Sequence, residues 1–162
     1  MGEVLRAEWF DLQKNTRDET WKWLHELYLP TMRSAEGVSW VGHYDIIEQP
    51  NRPYIEGAPL KKTTDDLTVP KGWENVILTA ASSPEVYFGP KNPIDRLETE
   101  HASMLSARLN YRTAVFIEEQ VINSPEQHTL PYGMGPPPAM QLGNYNCDTS
   151  EDEIELAKWY RA

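Results

Sequence analysis

Hydrophobic and polar positions in the first third of the chain change period twice, from two to helical and back to two. From Val4 to Leu12 they alternate in part. Val4, Arg6, Glu8 and Phe10 fall on one side, and Leu5, Ala7, Trp9 and Asp11 on the other. Such spacing predicts a strand with one greasy and one polar-leaning face. Residues 13–17 are polar, and Thr16 with Glu19 three positions on has the spacing of a capping box, with Asp18 also suited to a helix start. Trp21, Leu24, His25, Tyr28 and Met32 then recur at helical spacing as one apolar stripe. Pro30 predicts a kink or an end near Leu29. Gly37 marks the turn out, and residues 38–47 read as a second strand, completing a split βαβ unit.

The pattern breaks over residues 48–73, where Pro50, Pro53, Pro59 and Pro70 predict a long loop. Residues 74–81 predict a third strand. Asn92-Pro93 opens a second helix, which the spacing of Ile94, Leu97, His101, Met104, Leu105 and Arg108 carries to about residue 109. Residues 112–122 are the fourth strand. The order βαβ–βαβ is the α+β, ferredoxin-like layout of four antiparallel strands with two helices on one face. The uncovered face is expected to carry Arg6, Glu8, Phe10, Ser39, Val41, His43, Asp45, Asn75, Ile77, Thr79, Arg112, Ala114, Phe116 and Glu118. That mixture is too polar for a dry core and too apolar for open water, and suits a cavity closed by a second copy of the sheet. A slip in strand phase would place Trp40 and Tyr44 there instead.

The end of the chain repeats its beginning. A Pro/Gly-rich linker spans 124–139. Beyond it, residues 140–162 align without a gap on the opening unit at an offset of 159 − 23 = 136, placing Trp159 on Trp23, Lys158 on Lys22, Glu155 on Glu19 and Tyr145 on Trp9. This reads as a strand and helix of a partial second repeat. The organisation expected is therefore a barrel domain at 1–123, a linker at 124–139 and the partial repeat at 140–162.

Composition narrows the function. A formal net charge of −10 over 162 residues argues against nucleic acid or an anionic membrane as partner. The single cysteine, Cys147, excludes an internal disulfide framework and a Cys-based zinc site. No stretch approaches a membrane span and no export signal is legible, so a cytoplasmic location is expected. Phosphate-binding glycine loops and the H-E-x-x-H and G-x-S-x-G motifs do not occur. No cofactor and no metal site are expected.

The run DETWKWLHELYLPTMRSAEGVSWVGHYDI, residues 18–46, resembles the first helix and second strand of the dimeric α+β barrel superfamily, EthD-like proteins in particular. The resemblance covers about residues 4–122. It implies a homodimer whose sheets pair face to face, and a compact apolar or aromatic compound handled inside by oxygenation, isomerisation or decarboxylation, often without a metal. Relatives commonly carry a His just before the Leu-Pro step. Tyr28 stands there in this chain, and His25 lies one turn earlier.

Within that frame His43 is the candidate acid/base and Asp45 the carboxylate that would orient it; the plainer reading is a hydrogen-bonded polar face. Arg6 and Arg112 would anchor an anionic substrate group, or pair across strands with Glu8 and Glu118. Phe10, Trp40 and Phe116 would form the walls. Two functions follow: a small-molecule enzyme or binder, or a non-catalytic assembly protein whose barrel is filled by side chains.

Overall fold

The computed structural model describes residues 4–45, 74–118, 147 and 149–161, with the last two of these in backbone only. Strand β1 (Val4–Leu12) leads into a helical run made of α1 (Arg17–Trp23), a π-helical turn (Leu24–Tyr28) and α2 (Leu29–Arg33). Then come β2 (Val38–Asp45), β3 (Asn75–Ala81), α3 (Glu85–Phe88), α4 (Pro93–Glu100), α5 (Ala102–Ser106), β4 (Arg108–Ile117) and α6 (Ser150–Arg161). The strands form one antiparallel sheet in the order β2-β3-β1-β4. This α+β arrangement is compatible with a ferredoxin-like unit. The expected strand before α6 lies outside the described residues.

Pro30 does not end the first helix. Leu29 donates its N–H to the carbonyl of Leu24, five residues back, which defines the π turn. The extra residue seats Pro30 in the first turn of α2, the part of a helix that best accommodates proline. Thr16 does occupy the N-cap position, but its hydroxyl caps nothing: its backbone is not extended and Oγ1 is buried without a partner. The first turn is stabilised instead by Asp18 and Glu19 against the helix dipole. Farther on, Asn92 Oδ1 accepts from Ile94 N–H at 3.1 Å and Pro93 opens α4. That second helix breaks at His101, stops at Ser106, and gives way to a strand beginning at Arg108, four residues before Arg112. Pairing with β1 as far as Leu12↔Arg108 claims those residues, and Asn110 takes a positive φ of 52° at the irregularity.

The helices pack on one face of the sheet. Phe10, Leu12, Val41 and Ile77 meet Trp23, Leu24, Tyr28, Leu29, Met32, Ile94 and Leu97 there. The opposite face is apolar at its centre, where Ala7, Trp9, Val76 and Leu78 are buried and Leu5, Trp40, Tyr44 and Ala114 pack around them. The phase of β1, β2 and β3 is therefore the reverse of the expected one. Arg6, Glu8, Phe10, Val41, His43, Asp45, Asn75, Ile77 and Thr79 share the helix-covered face, opposite Trp40 and Tyr44. Only β4 keeps its expected phase, with Arg112 opposite Trp9 and Phe116 opposite Leu5.

Candidate functional site

The reversed phase divides the expected site residues between two sides of the sheet. Trp40, Phe116 and Glu118 come together on the side of the sheet opposite the helices, where with Leu5, Ala80 and Ile117 they line a cavity of about 320 Å³. The alternation of strand residues explains the meeting: Leu5 lies between Ala80 and Phe116 in the register, and Ala80 beside Trp40. Ala80 supplies depth because its side chain is small. Phe116 and Ile117 stay largely exposed at the edge, and Phe116 meets Trp9 edge to face at 6.3 Å. Among the described residues Glu118 is the one charged member of the lining. Arg112 lies farther along the same face of β4.

Beneath the helices, Arg6 and Glu8 belong to a buried ionic cluster. Glu8 is fully buried and accepts four donors: Arg6 Nη1 at 2.7 Å, Arg108 Nη1 at 2.8 Å, the Tyr28 hydroxyl at 2.7 and 2.9 Å, and the Tyr111 hydroxyl at 3.1 Å. Arg6 Nη2 also donates to Tyr111, at 2.9 Å. Arg108 lies over the Tyr111 ring at 4.1 Å and, at 5.6 Å each, over Phe10 and Tyr28. Burial pushes the Glu8 carboxyl up, and the two guanidiniums with the Tyr28 hydroxyl overcome that push and hold it below the ordinary carboxylate value. Burial and the Glu8 charge hold the Tyr28 phenol well above its ordinary value, so it stays a donor. Every carboxylate lone pair has a use here, which makes the cluster a tie between β1, β4 and the π turn. The expected roles of Arg6 as a substrate anchor and Phe10 as a cavity wall find no opening on this side: both are buried.

A second polar group lies on the same side, toward the other end of β1. His43 is half-buried and its Nε2 meets Asn75 Oδ1 at 3.1 Å, while its Nδ1 meets His25 Nε2 at 3.1 Å. Asn75 is fully buried in β3, with Oδ1 toward the ring and Nδ2 without a partner. In this orientation the amide accepts, which places the His43 proton on Nε2 and lets His25 donate to Nδ1. Trp21 stacks on His25 at 4.9 Å and 14°, and lies 4.9 Å from His43. Phe10 flanks His43 at 6.2 Å. Burial lowers the His43 pKa and the nearby His25 lowers it further, against the opposing pull of the Asn75 bond and of Asp45, so that the ring is neutral at pH 7. Asp45 is exposed two residues along the same face and acts on His43 through charge; the side chains hydrogen-bonded to the ring are Asn75 and His25.

Tyr28, Arg108, Tyr111, His25 and Asn75 join these groups without having been singled out as site residues from the sequence. One signal for Tyr28 was available: a phenol on a buried stripe must find a partner for its hydroxyl. Arg108 carried none, because its residue pattern continued the helix. Among the described residues no three His, Cys, Asp or Glu side chains converge as a metal set would, and no helix is long and apolar enough to cross a membrane. The chain matches no protein-family model and no curated protein sequence.

Proposed function

We propose that this protein binds a compact, flat, apolar or aromatic molecule in the cavity on the face of its sheet opposite the helices, and that a second copy of the chain closes the site as a dimeric α+β barrel. The observation that carries the reading is the cavity lined by Leu5, Trp40, Ala80, Phe116, Ile117 and Glu118. Its volume stands at the small end of the range for ligand sites, and a mostly apolar lining with one carboxylate is the usual composition of such sites. Phe116, 41% exposed at its rim and continuous with the buried Trp9, supports a protein partner by extending the apolar surface of this face. His43 and Asp45 lie on the other side of the sheet, so this reading is of binding; chemistry of the oxygenase, isomerase or decarboxylase kind would need groups beyond that lining.

Trp40 provides the test. Titration of the protein with small aromatic probes, naphthol and indole among them, should change tryptophan emission saturably in the wild type. Trp40→Ala and Ala80→Leu should each weaken binding at least ~10-fold, the second by filling the cavity. Equal binding by wild type and both variants would place the probe elsewhere and end the proposal. An assembly protein with a filled barrel is the alternative; it predicts no saturable binding at all.

A further inference from the structure

We infer that His25, backed by His43 and Asn75, forms a proton-transfer site at the solvent edge of the helix-covered face, with His25 as the catalytic base and His43 as its positioning residue. Asn75 Oδ1 takes the Nε2 proton of His43, and His43 Nδ1 takes the Nε2 proton of His25. His25 then has one nitrogen left, Nδ1, carrying a lone pair on a residue that is exposed. This is the arrangement that makes an imidazole a base: one nitrogen bare toward the substrate, the other held by an acceptor that stabilises the cation as it forms. Here that acceptor is a neutral imidazole, itself oriented by a buried amide. The Trp21 ring stacked on His25 at 4.9 Å sets the plane of the imidazole, and the exposed edge of that stack is where a flat substrate would meet Nδ1.

The substrate class is a planar molecule with a weakly acidic C–H or O–H. His25 Nδ1 takes that proton, the bond pair remains on the substrate, and the proton later returns to substrate or solvent. Acting on His43 are His25 and, from the same strand face, Asp45; the pull of Asp45 opposes that of His25. The site is separate from the apolar cavity and does not depend on it.

A nitrobenzisoxazole is a suitable probe because it is flat, aromatic and opens in one base-driven step. The base removes the ring C–H proton, the C–H pair forms the nitrile, and the N–O bond breaks with its electrons on oxygen, giving a coloured cyanonitrophenolate. The full chain should open it about 100-fold faster than free imidazole at equal concentration, the lower range for a positioned base. His25→Ala should remove that excess, and because His25 is exposed the variant should fold. His43→Ala should lower the rate and shift the pH at which it rises. Wild-type rates no faster than free imidazole, or unchanged by His25→Ala, would overturn the catalytic role. An unaltered rate and pH profile in His43→Ala would overturn the positioning role. Nitrogen NMR should find His43 protonated at Nε2 and bare at Nδ1; the opposite tautomer would contradict the relay.

Discussion

Glu8→Gln is the substitution whose effect the geometry defines best. The shape of the side chain is nearly kept, but the charge that Arg6 and Arg108 share is removed and one acceptor oxygen becomes a donating amide. That amide then meets an arginine N–H or must turn a tyrosine hydroxyl into its acceptor, because the groups around Glu8 are Arg6 Nη1, Arg108 Nη1 and the hydroxyls of Tyr28 and Tyr111. Both arginine side chains are left buried, 8% and 5% exposed, without a counterion among these partners. Removing one member of a buried ionic set costs about 3–5 kcal/mol. Against a total stability of about 5–15 kcal/mol for an ordinary domain, this is a large part of the whole. Urea unfolding followed by circular dichroism should show the midpoint falling steeply while the slope stays constant. The wild type should also lose stability in acid where the variant does not. The folded Glu8 carboxyl titrates below its unfolded value of 4.5, so its contribution is complete above that pH and is lost as the pH falls through the folded value. A Glu8→Gln protein within about 1 kcal/mol of wild type, with the same acid profile, would refute the assignment of Glu8 as the charged centre of this tie.

Tyr28→Phe keeps the ring against Trp23 and Arg108 but deletes the donor to both Glu8 oxygens, and should cost about 1.5–3 kcal/mol in the same unfolding assay. Gly37→Ala meets both a positive φ of 85° and the Val86 Cγ2 atom at 2.7 Å from the new Cβ, and should cost about 1–3 kcal/mol or more by thermal melting. The His43 ring should titrate below 6.5 by NMR, and Asn75→Ala should lower it further by removing a bond that favours the cation. Because the folded value is the lower one, His43 favours the folded state above pH 6.5 and that contribution is lost as the solution is acidified.

The elements of the unit are legible in the sequence because each is a local pattern. β1 occupies the residues its alternation marks, and Asn92-Pro93 opens a helix as that dipeptide should. What is not legible depends on partners distant in the chain. Alternation assigns Arg6 and Glu8 to the wet side, yet Arg108, 100 residues beyond Glu8, and Tyr28 and Tyr111 satisfy them in the dry one. Once those charges are paired, nothing opposes burying Phe10 with the helices, and the whole strand keeps that face. The neighbouring strands follow through their register, which carries His43 and Asn75 to the helix side and leaves Trp40 on the other. β4 contains no comparable burial of both signs of charge on one face, and its phase agrees with its pattern. The π turn is invisible for a similar reason: Pro30 marks a disturbance, but whether the helix stops or widens is decided by what packs beneath it, here Leu24 and Tyr28 in the core.

As proposed, the cavity on the face opposite the helices is closed by a second copy of the chain around a small apolar ligand. Light scattering of the full chain measures this directly, with Phe116→Glu compared at the same concentration. The account predicts twice the chain mass for the wild type and a shift toward single chains in the variant, where two carboxylates would face an apolar surface. A wild-type protein that remains a single chain at every concentration would contradict it.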